Sequence, residues 1–370
     1  MRHLVAMHAI PVGSGGLSLG SAHSLVMKQD GSVWAAGLNL HGQLGIGSSR
    51  NDKHSFVQVI PSGAQSLGAG GGHSVVLKKD GSVWATGRNT YGQLGDGSTT
   101  GQTNLVQVVS GDAKAVATGQ HYSMVLKTDG SVWCTGHNSY GQLGDGSTTN
   151  RLSFVVVIAS GIASVAAGKE HSLVLTQDGN VWSAGRNTHG QLGDGSRVSK
   201  RSFVQVMSGD AQAVAAGNLH SMVLKQDGSV WVTGRNTYGQ LGDGSTTDKN
   251  SFVQVIASGG KGMAAGSDHS MVLKTDGSVW GAGWNKVGQL GDGSTSSRST
   301  FVQVVSVGAQ AVAAGGVHSM VVRRDGHVWA AGGNTFGQLG TGSTISTTRF
   351  IIVASIKDGM EFRRTHEHMT

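Results

Sequence analysis

The chain has 370 residues, of which 61 are glycine and 1 is cysteine, and its formal net charge is +7. One cysteine excludes a disulfide framework, and no apolar stretch approaches the roughly 18 residues that a membrane-spanning helix needs. Low charge with 38% hydrophobic residues excludes a disordered chain. We therefore expect a soluble protein of the cytoplasm or nucleus that does not bind membranes.

Tryptophan marks a repeat of 49 or 50 residues along nearly the whole chain. Each unit has a His-Ser pair or its equivalent eleven residues before the Trp, and an Asp-Gly pair between them. The segment Gly-x-Asn-x-x-Gly-Gln-Leu-Gly follows the Trp. A fixed period of this length indicates one structural unit repeated seven times. The seven copies of the Trp are Trp34, Trp84, Trp133, Trp182, Trp231, Trp280 and Trp329.

The fifth unit, residues 211–255, shows the local structure that each repeat predicts. It has a run of small residues at 211–216, an apolar run at 221–225, a β-branched and aromatic run at 228–233, and alternation from 251. These patterns are typical of four strands, and Asp-Gly supplies the tight turn between the second and third. Because no stretch has a helical period, the sequence predicts a seven-bladed β-propeller of four-stranded antiparallel blades over residues 1–355. Residues 356–370 are left as a C-terminal tail.

Both ends of the chain offer an outer strand for the last blade. Residues 6–11 lie in the same column as Phe56 to Pro61, and residues 350–353 fill that column too. We expect the C-terminal copy to close the ring because it keeps the Phe.

The repeated Gly-x-Asn-x-x-Gly-Gln-Leu-Gly-Asp-Gly-Ser motif, with Gly-x-x-His-Ser upstream, resembles the regulator of chromosome condensation repeat family over roughly residues 4 to 355. The resemblance implies a seven-bladed propeller. Family activities include guanine nucleotide exchange on the small GTPase Ran with nucleosome binding, ultraviolet-B sensing in plants, recruitment of ubiquitin-ligase substrates and inhibition of β-lactamase. The fold alone therefore does not settle the function.

Each branch of that family implies features that can be sought in this chain. The plant photoreceptors carry Trp and Arg just before the repeat His, and no unit here has that pair. The exchange factors carry an inserted β-wedge and a basic N-terminal tail, whereas the spacing here stays within one residue of 49 and the N-terminus offers only Arg2. The bacterial inhibitors have shorter units. A plain interaction propeller remains as the expectation.

No catalytic or metal-binding motif is recognisable, so we expect no enzyme activity and no cofactor. Cys134 lies within a predicted strand and is expected to be a buried structural thiol. Each Gly-Asp-Gly-Ser loop offers one carboxylate, which favours a turn over a calcium site. The repeat His is expected to make a local hydrogen bond that stabilises each blade, although a ring of imidazoles could also bind a metal. That column holds His23, His73, His171, His220, His269 and His318, with Tyr122 in the seventh unit.

Charge divides unevenly between the two faces of the predicted disc. In each blade, the first and third connections share one face, which we call the long-loop face; it carries the two residues before the repeat His and the loop with Gly-Gln-Leu-Gly. Fourteen Lys and Arg and nine Asp and Glu fall there, leaving +5 of the total +7. The opposite face, with the Asp-Gly hairpins and the links between blades, is the Asp-Gly face and carries about +1.

A basic face attracts an acidic partner and accelerates encounter, although a solvated rim that only aids solubility is the alternative. The densest cluster of positive charge lies in the fourth unit, with one Arg in the fifth. Trp284 breaks a column that holds no aromatic ring except His137 in the other units, so it is a candidate interface anchor. The residues predicted to contact a partner are Arg88, Arg186, Arg197, Lys200, Arg201, Arg235, Trp284 and Lys286.

The sequence thus predicts a non-enzymatic, monomeric interaction scaffold whose long-loop face binds a protein with an acidic surface. The alternative is a guanine nucleotide exchange factor for a Ran-like small GTPase, associated with chromatin through nucleosomes. Nucleic acid is disfavoured, because the aromatic residues of this face fill one repeating column and are expected to pack within the loops.

Overall fold

The computed structural model describes residues 16–357, which form seven four-stranded antiparallel sheets and no helix within that range. Blade 1 contains β1 (Leu17–Leu19), β2 (His23–Met27), β3 (Val33–Gly37) and β4 (Lys53–Ile60). Blade 2 contains β5 (Ala64–Ala69), β6 (His73–Lys78), β7 (Val83–Gly87) and β8 (Gln102–Val109), and blade 3 contains β9 (Ala113–Thr118), β10 (Tyr122–Lys127), β11 (Val132–Gly136) and β12 (Arg151–Ile158).

The remaining four blades repeat this order. Blade 4 contains β13 (Ile162–Ala167), β14 (His171–Thr176), β15 (Val181–Gly185) and β16 (Lys200–Met207); blade 5 contains β17 (Ala211–Ala216), β18 (His220–Lys225), β19 (Val230–Gly234) and β20 (Lys249–Ile256). Blade 6 contains β21 (Gly260–Ala265), β22 (His269–Lys274), β23 (Val279–Gly283) and β24 (Arg298–Val305); blade 7 contains β25 (Ala309–Ala314), β26 (His318–Arg323), β27 (His327–Gly332) and β28 (Thr347–Ser355). The predicted seven-bladed propeller is confirmed. The predicted start of the propeller at residue 1 and the predicted end of the C-terminal tail at residue 370 lie outside the described residues.

The Asp-Gly pair makes the hairpin between the second and third strands. In blade 1 the Ser32 amide donates to the Asp30 carboxylate at 2.7 Å, and Gly31 has a φ of 80°, which favours glycine. The innermost strand of each blade contains small residues because it lies near the central axis. A side-chain carbon added at Gly68 would lie 2.8 Å from Thr118 Cγ2 on the next blade, so the crowded axis limits side-chain size.

The apolar core lies between adjacent blades. One buried cluster joins Met124, Cys134 and Leu143 of blade 3 to Ile162 and Val174 of blade 4. No blade can therefore bury its own apolar surface without a neighbour on each side. The Cys134 thiol is buried as predicted, and burial raises its pKa, which suppresses the reactive thiolate.

The loop of each preceding blade covers part of the exposed edge of an outer strand. The Gly146 amide of blade 3 donates to the Arg201 carbonyl of blade 4 at 2.9 Å, next to a bridge between Asp145 and Ser202. Covering an edge in this way blocks pairing with other chains.

The same contacts close the ring between blades 7 and 1. β28 pairs with β27, so the prediction that the C-terminal copy supplies the last outer strand is confirmed. The Gly342 amide then donates to the His54 carbonyl at 2.8 Å, and the Gly316 amide donates to the Gly20 carbonyl at 3.0 Å. The competing N-terminal copy at residues 6–11 lies outside the described residues.

The repeat His joins neighbouring blades, which corrects the expectation of a hydrogen bond within each blade. Each of the six histidines lies with its Nε2 at 2.8 to 3.0 Å from the Ser Oγ of the next blade, including His318 to Ser24 across the ring closure. In blade 3, Tyr122 instead donates to the His171 carbonyl and accepts from Ser172. The column is therefore a circle of contacts between blades and not a set of metal ligands.

The serine hydroxyls fix the tautomer of these histidines. Ser74, for example, donates its proton to the Gln43 carbonyl at 2.7 Å, so His23 must carry its own proton on Nε2 to complete the bond. The Nδ1 atom is left buried without a partner. Burial lowers the pKa of His23 to about 4, so the ring is neutral at pH 7.

Candidate functional site

The long-loop face surrounds the mouth of the central channel. The first Gly of the Gly-x-x-His-Ser motif is followed in each blade by a residue that lies at the mouth. Three of these seven positions hold Gln120, Lys169 and Asn218. Backbone bonds between blades support the rim: the Lys169 amide donates to the Gly217 carbonyl at 3.2 Å. Lys169 is the one charged side chain at these seven positions, and within residues 16–357 it has no ion pair.

The Asn of the repeated Gly-x-Asn motif fixes the long loop around this mouth. Asn236 donates through Nδ2 to the Asp243 carboxylate at 2.9 Å and accepts the Leu241 amide on Oδ1 at 3.0 Å. Asp243 also accepts the Ser245 amide at 2.9 Å, so Gly-Asp-Gly-Ser is a turn held by its own side chains. The described part of the chain contains no group of three or more metal-ligating side chains.

Three of the residues predicted to contact a partner form ion pairs within the chain. Arg186 bonds Glu170 at 2.7 Å, Arg235 lies 3.4 Å from Asp268, and Lys200 lies 3.4 Å from Asp194. Their charges are therefore partly neutralised where they lie. The cluster of positive charge predicted in the fourth and fifth units therefore has less unpaired charge than the sequence indicates. Its members are Arg186, Arg197, Lys200, Arg201 and Arg235.

Four other predicted contact residues are free to meet a partner. Arg197, Arg201 and Lys286 are exposed, and neither they nor the half-buried Arg88 form an ion pair within residues 16–357. The backbone of Arg201 lies against Gly141, next to the loop residue over which Arg186 is placed. The structure thus brings Arg186 and Arg201 to the same loop of blade 3.

Sequence reasoning missed an aromatic cluster between blades 2 and 3. The ring of Tyr91 lies 5.3 Å from that of His121 and 4.7 Å from that of His137. Burial, with the nearby Arg88 guanidinium, lowers the pKa of His121 to about 4, so this histidine is neutral at pH 7. The sequence does contain a signal for this cluster: in the third unit alone, Tyr122 takes the column of the repeat His and His121 lies one position earlier. The expectation that the aromatic column packs inside its own loops is wrong here, because Tyr91 contacts the next blade.

Trp284 lies half-buried on this face. Its ring centroid is 6.4 Å from that of Tyr238 on blade 5, and the exposed Lys286 follows two residues later. The repeat Trp residues lie elsewhere, on the third strands, and they are also only half-buried. Trp133, Trp182 and Trp231, for example, pack against buried clusters between blades while part of each ring faces solvent. A Lys or Arg covers six of them at 4.0 to 5.0 Å, whereas Thr176 replaces the Lys beside Trp182.

We expect Trp182→Ala to lower the free energy of unfolding by about 3 kcal/mol, at the lower end of the range for a buried aromatic residue. The reason is that Trp182 packs on the cluster joining blades 3 and 4 while part of its ring faces solvent. Trp284→Ala should cost less than about 1 kcal/mol, because it removes one edge contact. Urea unfolding of both variants measures the difference, and equal losses would show that Trp284 belongs to the core.

Comparison with known proteins identifies two related sequence profiles. The profile of the RCC1-like domain matches residues 102–357, and that of the regulator of chromosome condensation (RCC1) repeat matches residues 16–43 and 65–93. No curated protein sequence matches this chain. The described residues contain no helix long and apolar enough to cross a membrane.

Solved structures of similar shape have low sequence identity. Human WBSCR16 aligns with a TM-score of 0.78 at 22% identity, covering 87% of this chain and 94% of its own. Prp20p of Saccharomyces cerevisiae, whose binding to Gsp1p and histones is described with its structure, aligns with a TM-score of 0.78 at 20% identity, covering 90% and 88%. Yeast RCC1 (Prp20) with Kap60 bound to it aligns with a TM-score of 0.79 at 19% identity, covering 96% and 90%. At these identities the likeness establishes the fold.

Proposed function

This chain belongs to the RCC1-like domain family, and from that premise we propose that it is a non-enzymatic interaction protein whose long-loop face binds an acidic protein surface. The observation that carries the proposal is the surplus of cations that no carboxylate of this face neutralises. Six of the fourteen cations there pair with six of the nine carboxylates. The other eight form no ion pair within residues 16–357; they are Arg50, Lys53, Arg88, Lys169, Arg197, Arg201, Lys286 and Arg349.

The three remaining carboxylates of the long-loop face accept hydrogen bonds from the amide groups of asparagines. Asp52 accepts the Asn39 amide at 2.7 Å, Asp96 accepts the Asn89 side chain at 2.9 Å, and Asp248 accepts the Asn236 amide at 2.8 Å. The face therefore presents eight cations outside ion pairs, and its net charge is +5, because the three hydrogen-bonded carboxylates keep their negative charge. Such a surface steers an acidic partner toward it and does so more strongly at low salt.

Reversing three unpaired cations, as Arg88→Glu, Arg197→Glu and Arg201→Glu together, should slow association with the acidic partner at least about tenfold at low salt. The melting temperature should hardly change, because Arg197 and Arg201 are exposed and the half-buried Arg88 forms no ion pair within residues 16–357. Proteins captured by the wild type and identified by mass spectrometry supply the purified partner, and stopped-flow mixing measures the rate. Association of the wild type should also slow as salt rises.

A matched control reverses the same number of charges on the opposite face. Lys79, Lys261 and Arg324 are exposed near the Asp-Gly end of their blades, so changing all three to Glu alters the net charge equally. That control should associate within about twofold of the wild type. If the two triple variants slow association equally, net charge alone is responsible and the long-loop face is not the site.

Guanine nucleotide exchange on a Ran-like small GTPase is the second candidate, because the similar propeller of Prp20p is described with Gsp1p. Release of a fluorescent guanine nucleotide from a purified Ran-like GTPase tests it directly. Acceleration by catalytic amounts of this chain would replace the first proposal, whereas no acceleration leaves the interaction scaffold.

A further inference from the structure

Pairs of side chains from neighbouring blades form a ring around the channel mouth. One member is the residue two positions after the repeat Asn of a blade, and the other is the residue just before the Asn of the next blade. Tyr91 and His137 form such a pair at 4.7 Å, and so do Tyr140 and Arg186, whose guanidinium lies 5.0 Å from the ring centroid. The seven junctions between blades give seven such pairs, and together we call them the mouth ring.

Four consecutive pairs of the mouth ring, from blade 1 to blade 5, combine an aromatic ring with a polar or cationic side chain, which is His137 in one pair and an Arg in the other three. His41 and Arg88 both lie against Gly72, with His41 Cδ2 at 3.1 Å and Arg88 Cβ at 3.7 Å from where a side-chain carbon would be. The fourth position holds His189 with Arg235. We call this part the polar arc.

The other three pairs, from blade 5 round to blade 1, carry no charge. Tyr238 meets Trp284 at 6.4 Å. A side-chain carbon at Gly333 would lie 3.4 Å from Val287 Cγ2 and 2.8 Å from Val317 Cγ2, so these two valines meet over the glycine. The last position holds Phe336 with Leu38. We call this part the apolar arc.

The apolar arc is open to solvent. Phe336 is 37% exposed. Leu40 lies outside the pairs, two residues after Leu38 in the same loop; it is 46% exposed, and we include it in the apolar arc. The other blades hold Thr, Ser or Lys where blade 1 holds Leu40, so the fold itself does not require an apolar residue there. Exposed apolar residues grouped on one side of a mouth, and rimmed by polar ones, are typical of an interaction surface.

Resting on the proposed function, we infer that the partner contacts the mouth ring with a segment that is acidic at one end and carries a Leu or Phe side chain at the other. The carboxylates lie toward Arg88 and Lys169, and the apolar side chain lies on Phe336 and Leu40. Charge complementarity sets the acidic end, and the neighbouring uncharged arc sets the apolar end. The mouth ring therefore fixes both the composition of the segment and its direction across the channel.

Two synthetic fluorescein-labelled peptides of equal length and charge test this. The mixed peptide has a run of Asp and Glu followed by Leu and Phe, and in the acidic peptide Ser replaces the Leu and Phe. Fluorescence anisotropy at low salt should show the mixed peptide binding at least about tenfold tighter, the effect of burying one such side chain. Equal affinity for the two peptides would overturn the inference.

Substitutions copied from other blades remove two exposed apolar side chains of the apolar arc, Phe336 and Leu40, with little risk to folding. Leu40→Thr repeats Thr90, and Phe336→His repeats His189 at the equivalent position. The double variant should bind both peptides alike while keeping its affinity for the acidic peptide. The control Leu152→Ser with Val156→Ser changes two exposed apolar residues on the outer strand of blade 3, and it should keep the tenfold preference. A preference that survives in the Leu40 and Phe336 variant would place the apolar contact elsewhere.

The acidic peptide separates failure of this inference from failure of the proposed function. If it binds with salt dependence but the mixed peptide gains nothing, only the apolar arc is wrong. If neither peptide binds, and reversal of Arg88, Arg197 and Arg201 leaves association with the captured partner unchanged, the basic face itself is not the site.

Discussion

Lowering the pH from 7 to 4 should unfold this propeller, because six buried histidines hold it together only while they are neutral. Burial lowers their pKa to about 3 or about 4 in the folded chain, against about 6.5 when exposed. Below pH 6.5 the unfolded chain therefore binds protons that the folded chain cannot. The stability is fully present above that pH and is lost as the pH falls toward the folded values.

The expected loss is large because the histidines titrate over the same range. Each contributes about 1.4 kcal/mol per pH unit between the unfolded and the folded pKa, so six together reach about 8 kcal/mol per unit at the steepest point. Urea unfolding at several pH values from 7 to 4.5 measures the slope. A free energy of unfolding that stays constant over this range would show that the circle of histidines does not limit stability.

The chain offers its own variants for this experiment. His220→Tyr copies Tyr122, which already fills the column in blade 3, and it should lower the slope by one proton in six. Tyr122→His completes the column and should steepen the slope by one proton. His54, exposed on an outer strand, provides the control: His54→Thr, which repeats Thr103, should leave the slope unchanged.

The fold was predictable because its information is periodic. The spacing of Trp, Asp-Gly and Gly-Gln-Leu-Gly gave the number of blades, and the alternation within one unit gave its strands. The role of the repeat His was only half predictable. The sequence shows the column, but the partner of His23 is Ser74, 51 residues away, and only the radial packing of blades places them 2.9 Å apart.

The net charge of the candidate site was predictable, whereas its ion pairs were predictable only in part. Counting residues gave the surplus on the long-loop face, because strand direction alone decides which connections lie there. Arg235 and Asp268 lie 33 positions apart on different blades, so no local pattern reveals that pair. Four other pairs, such as Asp145 with Arg151, join residues six positions apart in the same column of the repeat, so their spacing could have been found in the sequence. The apolar arc was missed for a similar reason: Val287 of blade 6 and Val317 of blade 7 are 30 positions apart and meet only through the packing of neighbouring blades.

Removing one whole unit, residues 162–210, should abolish cooperative folding of the chain. The deletion joins the link after β12 directly to β17, so the chain stays continuous and in phase with its repeat. Six blades would then have to span the full circle, and each step between blades would widen from one seventh to one sixth of it. The clusters between blades and the His-to-Ser contacts of 2.8 to 3.0 Å leave no room for that change at every step.

Replacing the same unit, rather than deleting it, provides the matched control. A chain in which a second copy of residues 211–259 takes the place of residues 162–210 keeps seven units of the same length, and both the Ser and the His of the circle are retained. It should keep the molecular mass of assembly and the cooperative melting of the wild type, as measured by light scattering and circular dichroism. The deletion should instead aggregate or melt without a cooperative transition, since each blade needs a neighbour on both sides. A six-unit chain that stays monomeric and melts at the wild-type temperature would show that the blades are stable without ring closure.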